Sequence, residues 1–103
     1  MSMGLAKLPK LSATESLILD LLRGQDMYGL QLVTESLGAL KRGSVYVTLG
    51  RMEEKGFVES RAEETSDHSG LPRRLYRATA LGTRVFDAWS LMAAHLSSVR
   101  RHA

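Results

Sequence analysis

The side chains with most chemistry to offer are cations, and they come in two runs. Lys41, Arg42 and Arg51 fall between Gly38 and Met52 with no acid among them. Arg73, Arg74, Arg77 and Arg84 fall between His68 and Val85, again without an acid. Between the two runs, Glu53 to Asp67 holds six acids and two bases. Basic runs bind polyanions when a fold brings them to one surface, because each neutralised phosphate releases condensed counterions. Net charge alone is thin support: the 103-residue chain carries only +3. Other chemistries have less to stand on. With no cysteine, disulfides and thiolate metal sites are excluded. His68, His95 and His102 are too scattered to hold a metal. No nucleophile elbow or paired carboxylates are evident, so an enzyme is the least expected class. The glycines punctuate turns and form no phosphate-binding fingerprint, and no cofactor is expected.

The elements that must position the cations follow from spacing. Residues 1–11 read as an N-terminal arm. Ser12 and Glu15 have capping-box spacing and open a helix over about Ala13–Arg23, with Leu17, Ile18, Leu21 and Leu22 on its apolar side. Gly24 closes it, and Gly24–Met27 reads as a turn. A second helix runs from Tyr28 or Gly29 to Leu37, with Leu30, Val33 and Leu37 apolar and Gly38 as C-cap. A third runs over Gly43–Lys55, capped by Gly43 or Ser44. Val45, Leu49 and Met52 make its buried stripe, which leaves Ser44, Tyr46, Val47, Thr48 and Arg51 on other faces. Phe57–Arg61 and Arg73–Thr79 read as two strands joined by a polar loop over Glu63–Pro72. A last helix starts at Thr79 or Ala80 and reaches Arg101, with Leu81, Val85, Ala88, Trp89, Met92, Leu96 and Val99 on one side.

The order α-α-α-β-β-α describes a mainly α (α+β) fold: a winged helix-turn-helix with three helices, a β-hairpin wing and a long C-terminal helix. Residues 1–79 form the winged-helix unit, and 80–103 a dimerisation helix in the same compact unit. In such a fold the third helix enters the major groove of double-stranded DNA, and the preceding helix braces it. Arg73 and Arg74 on the wing neutralise neighbouring phosphates, with Glu53, Glu54 and Glu59 further from the DNA. The last helix carries more apolar surface than one small domain covers, which points to a homodimer about a two-fold axis. Two recognition helices then sit roughly 34–36 Å apart on a near-palindromic operator.

Three ordered segments resemble the PadR-like transcriptional regulators. The run Gly43 to Val58 (GSVYVTLGRMEEKGFV) looks like the family's GTLYxxLxRLExxGLI. Tyr28 to Leu32 (YGLQL) looks like its GYEL segment. Gly70 to Gly82 (GLPRRLYRATALG) looks like its GxPRRxY wing followed by an LTxxG helix start, with Ala78-Thr79-Ala80 where LTE is usual. The resemblance spans roughly Leu17–Trp89. It implies a homodimeric repressor of the short subclass, with one C-terminal dimerisation helix. It implies Tyr28 and Tyr46 as DNA contacts beside Lys41, Arg42, Ser44, Val47, Thr48, Arg51, Arg73 and Arg74. It also implies a planar hydrophobic or phenolic effector, stacked on Trp89 at the dimer interface.

Alternatives stand beside these readings. Tyr46 serves equally as a half-buried packing residue, Trp89 as core or dimer packing, and the arginines as solvated charges. The whole chain could be a winged-helix protein-interaction module, served by the acidic run, or a small-molecule sensor without DNA binding. No stretch approaches the length of a membrane span, and Met1–Lys10 has no apolar run of signal-peptide length, so a cytoplasmic protein is expected.

Overall fold

The computed structural model describes residues 8–63 and 73–101. The elements are α1 (Ala13–Leu21), β1 (Met27–Tyr28), α2 (Gly29–Glu35), α3 (Arg42–Glu54), β2 (Val58–Glu63), β3 (Arg73–Ala78) and α4 (Ala80–Arg101). This is the winged helix-turn-helix expected from spacing, with one addition. Met27, read as the end of a turn, and Tyr28, read as a possible helix start, form a two-residue strand, β1, which makes the sheet three-stranded in the order β1-β3-β2. Both pairings are antiparallel, with Met27 opposite Tyr76 and Ser60 opposite Tyr76 on the other side. A two-residue strand has no period of its own, so only its partner reveals it.

α1 begins with the expected capping box. The Glu15 backbone N–H donates to Ser12 Oγ at 3.1 Å, and the Ser12 N–H donates to Glu15 Oε1 at 2.9 Å. Glu15 then does something the spacing did not foretell. Its other oxygen accepts from Lys55 Nζ at 2.8 Å, which ties the start of α1 to the end of α3. Glu15 is buried, and burial pushes its carboxyl up; the Lys55 hydrogen bond, the Ser12 N–H and the Lys55 charge outweigh that and hold it below its ordinary value. A depressed folded pKa means stability that is present above the unfolded value near 4.5 and lost as pH falls through the folded one. Glu15→Ala is expected to cost about 1–2 kcal/mol at neutral pH through the cap and the ion pair. In thermal melts, Tm should fall by about 5–10 °C at pH 7. The gap from the unmodified protein should narrow as the pH falls below the ordinary carboxylate value of 4.5. A constant gap would show that the carboxylate charge is not what stabilises.

α2 is shorter than predicted. Ser36 caps it, its hydroxyl donating to the Val33 carbonyl at 2.7 Å and accepting from the Leu40 N–H at 2.9 Å. The chain then turns through two left-handed residues, Leu37 (φ 53°) and Gly38 (φ 93°). Leu37 is therefore not part of the apolar stripe; it is 94% exposed, and Leu40 is buried in its stead. Leu30 is also largely exposed, so Leu32 and the half-buried Val33 are the residues that hold α2 to the core.

The helix after the turn starts one residue before its predicted boundary. Lys41 is the N-cap, with no side-chain cap bond, so neither Gly43 nor Ser44 caps it. The stripe Val45, Leu49 and Met52 is fully buried as expected, together with Ile18 and Leu19 of α1, its C-cap Leu22, and Phe57, Val58, Tyr76 and Val85. Gly56 (φ 81°) ends the helix, and its left-handed turn lets the Phe57 N–H reach back to the Met52 carbonyl at 2.9 Å.

α4 starts where predicted and is capped by Thr79, whose Oγ1 accepts from the Gly82 N–H at 3.0 Å. The Thr79 N–H donates to the Phe57 carbonyl at 3.0 Å, which fastens the helix start to the start of β2. Val85 points into the protomer's own core and is 3% exposed, so it has no surface to offer a partner. Beyond Met92, the described side chains of α4 are exposed. Leu81, Leu91 and Leu96 are apolar and at least 44% exposed. The radius of gyration, 15.9 Å, exceeds the ~13 Å of a compact 100-residue domain, as a projecting helix requires.

Candidate nucleic-acid interface

The outward side of α3 carries the residues that sequence put there. Lys41, Arg42, Ser44, Tyr46, Val47 and Arg51 are all exposed. Thr48 is half-buried, and its hydroxyl donates to the Ser44 carbonyl at 3.2 Å. The start of the helix is unusual for its charge. Its first turn holds no acid and no capping side chain, yet Lys41 and Arg42 sit at its positive dipole end. Each feature costs helix stability in isolation, and each is favourable once an anion docks there.

The wing is joined to this helix through side chains. Arg74 Nε donates to Ser60 Oγ at 3.0 Å, and Ser60 donates onward to Glu53 Oε2 at 2.9 Å. Glu53 belongs to α3, and it lies one hydroxyl away from Arg74. The Tyr76 hydroxyl sits among the same groups. Burial pushes its pKa up, the Arg74 charge pulls it down, and Glu53 and Tyr46 push it up again.

Strand alternation separates the two wing arginines. Arg74, Tyr76 and Ala78 share the sheet face that packs on the helices, while Arg73, Leu75 and Arg77 point the other way. On that outer face the Arg73 guanidinium lies 5.6 Å from the centre of the Tyr28 ring, and Arg77 pairs with Glu59 at 2.7 Å. Tyr28 donates its hydroxyl to Glu63 Oε2 at 2.6 Å, and this bond raises its pKa, as do partial burial and the Glu63 charge. Tyr28 therefore belongs to the outer sheet face, not to the outward side of α3. The polar loop expected over Glu63–Pro72, with His68, lies outside the described residues beyond Glu63.

Of the residues read as a dimer surface, Leu81 and Leu96 are exposed and Ala88, Trp89 and Met92 are half-buried. The Val99 side chain lies outside the described set. Trp89 packs against the core, and its Nε1–H donates to the Pro9 carbonyl at 2.7 Å, which straps the N-terminal segment onto α4. Leu91, 74% exposed, was missed because it falls off the heptad-like stripe. Among the described residues no three metal-ligating side chains cluster, and no helix is long and apolar enough to cross a membrane.

Comparison with known proteins gives the geometry a family. The model of the transcriptional regulator PadR-like family matches residues 18–88. No curated protein sequence matches significantly. Among solved structures, a PadR family transcription regulator from hypervirulent Clostridium difficile superposes with a TM-score of 0.75 at 24% identity, over 88% of this chain and 97% of that one. A PadR-like transcriptional regulator from Bacillus cereus gives 0.64 at 22%, over 85% and 87%. Bacillus subtilis PadR, solved in complex with operator DNA, gives 0.65 at 25%, over 76% of this chain and 46% of that one. With the family model covering most of its length, the chain belongs to the PadR-like family of transcriptional regulators, which are not enzymes.

Proposed function

We propose that the protein is a homodimeric repressor of the cytoplasm that binds a near-palindromic DNA operator. The observation that carries this reading is the start of α3, with two cations and an uncapped positive helix end; Arg74 of the wing is tied to the other end of the same helix through Ser60 and Glu53. In this reading Lys41, Arg42 and Arg74 hold phosphates, and Ser44, Tyr46, Val47 and Arg51 face the groove. Val47 suits a thymine methyl, and Arg51 a guanine edge or phosphate. Thr48 and Tyr28, whose hydroxyls are already engaged, are left out of the contact set. Arg73 reaches phosphate from the outer side of the wing.

Dimerisation is assigned to α4. The exposed Leu81, Leu91 and Leu96 and the half-buried Met92 offer the apolar surface, and a lone protomer leaves it to water. A planar hydrophobic or phenolic effector at this seam, near Trp89, regulates only if it binds two spacings of the recognition helices with different affinity.

Selection of duplexes from a random pool tests the core of the proposal. A palindromic consensus with half-sites about one helical turn apart is expected, bound with strong salt dependence. Recovery of no consensus, together with salt-independent binding, would sink it. Sedimentation should show a dimer, and Leu96→Asp should drive it toward monomer and weaken operator binding at the same time. A dimer that survives Leu91→Asp with Leu96→Asp would move the interface elsewhere.

A further inference from the structure

Gly29 opens α2, is buried, and does not have a left-handed φ, so the backbone there admits any residue. What requires glycine is a neighbour. A Cβ added to Gly29 would lie 2.5 Å from Cε1, 2.8 Å from Cζ and 2.9 Å from the hydroxyl oxygen of Tyr46. The end of the Tyr46 ring occupies the space of the missing side chain. Tyr46 is otherwise 47% exposed, on the outward side of α3.

We infer that Gly29 is a positioning residue for DNA recognition: its missing side chain is a notch that seats the Tyr46 ring and fixes where the hydroxyl projects from α3. The inference rests on the reading of α3 as the DNA-facing helix. Tyr46 sits on a helix surface, where a large side chain swings freely unless something holds its far end. Contact with the α2 backbone at Gly29 removes that freedom before DNA arrives, so less ordering is left to the binding step. A methyl group at position 29 breaks the arrangement without breaking the fold. The clashing atoms are the far end of a half-exposed ring, which can swing into solvent. Restoring ordinary contact, about 3.5–4.0 Å between carbons, moves the ring edge by about 1 Å. A displacement of that size takes a hydroxyl out of hydrogen-bond range of a phosphate.

The test is a double-mutant cycle read on a duplex that the unmodified protein has selected from a random pool. Gly29→Ala should leave Tm within a few degrees, because alanine suits a helical position better than glycine. It should weaken DNA binding about tenfold. Tyr46→Ala should weaken binding by a similar factor, and Gly29→Ala added to Tyr46→Ala should change it by less than twofold. Three results would overturn the inference while leaving the DNA reading intact: Gly29→Ala binding as tightly as the unmodified protein, an equal loss from Gly29→Ala in both backgrounds, or a collapse of Tm in Gly29→Ala. If Tyr46→Ala binds normally, Tyr46 is no contact and the notch has no role in recognition. If no duplex is selected at all, the DNA reading fails and this inference falls with it.

Discussion

Gly82→Ala should lower Tm by about 15 °C or prevent folding outright, although alanine is the better helix former. A Cβ at position 82 would lie 2.1 Å from the Phe57 carbonyl oxygen, 2.9 Å from its carbon and 3.1 Å from Leu19 Cδ2. Two of those three atoms are backbone, so no rotamer change relieves the clash. The Phe57 carbonyl also accepts the Thr79 N–H, and Thr79 caps α4. Moving the helix away from Phe57 therefore breaks the cap contacts as well as the packing. Overpacking of this kind costs about 3 kcal/mol or more, a large share of the ~5–15 kcal/mol that stabilises a domain. Gly50→Ala is the control. Gly50 lies in the middle of α3, with nothing within 4 Å of an added Cβ. There the same substitution should stabilise by about 0.5–1 kcal/mol. Melting curves of both variants check the pair of signs, and a Gly82→Ala protein as stable as the original would refute the docking of α4 on the Phe57 backbone.

Replacing Arg73 and Arg74 together by alanine should weaken binding to every duplex and flatten its salt dependence. Two phosphate contacts per subunit, four in the proposed dimer, account for about 3.6 units of the logarithmic slope, so the loss of affinity between 50 and 200 mM salt should shrink by roughly a hundredfold. Stability should barely change, because both side chains are exposed. The single variants should differ. Arg74 shares its sheet face with α3 and is tied to it through Ser60 and Glu53, whereas Arg73 lies on the outer face over Tyr28. Arg74→Ala should therefore take the larger part of the loss. Titrations at four salt concentrations separate the outcomes. An unchanged slope in the double variant would remove the wing from the interface, and a larger effect of Arg73→Ala would reverse the assignment of faces.

Most elements were legible because each carries a periodic signal. Val45, Leu49 and Met52 recur at helical spacing, and all three are buried. Ser12 and Glu15 have the capping-box spacing, and both bonds form. The failures fall where the signal is not local. Leu37 looks like the next turn of α2, but the Ser36 cap and the left-handed turn remove it from the stripe. Val85 sits on the apolar side of α4 with the residues read as a dimer surface, yet it is spent on the protomer's own core. Periodicity reports which side of a helix is apolar and cannot report what covers it.

The cations that open the sequence were readable as two separate runs, and their types alone make polyanion binding the leading chemistry. Sequence also set the order of elements, the buried stripe of α3 and the segments shared with the PadR-like regulators. Tertiary structure decided how those cations are used. It turned the Arg74 face of the strand, not the Arg73 face, toward the helices, drew Glu53 toward Arg74, and closed Tyr28 onto Glu63. It also laid Tyr46 in the space left by Gly29, seventeen positions earlier in the chain. The physical reason is range. Helix and strand periods come from covalent geometry over a few residues, whereas side-chain partners are chosen by packing among elements that the chain order leaves far apart.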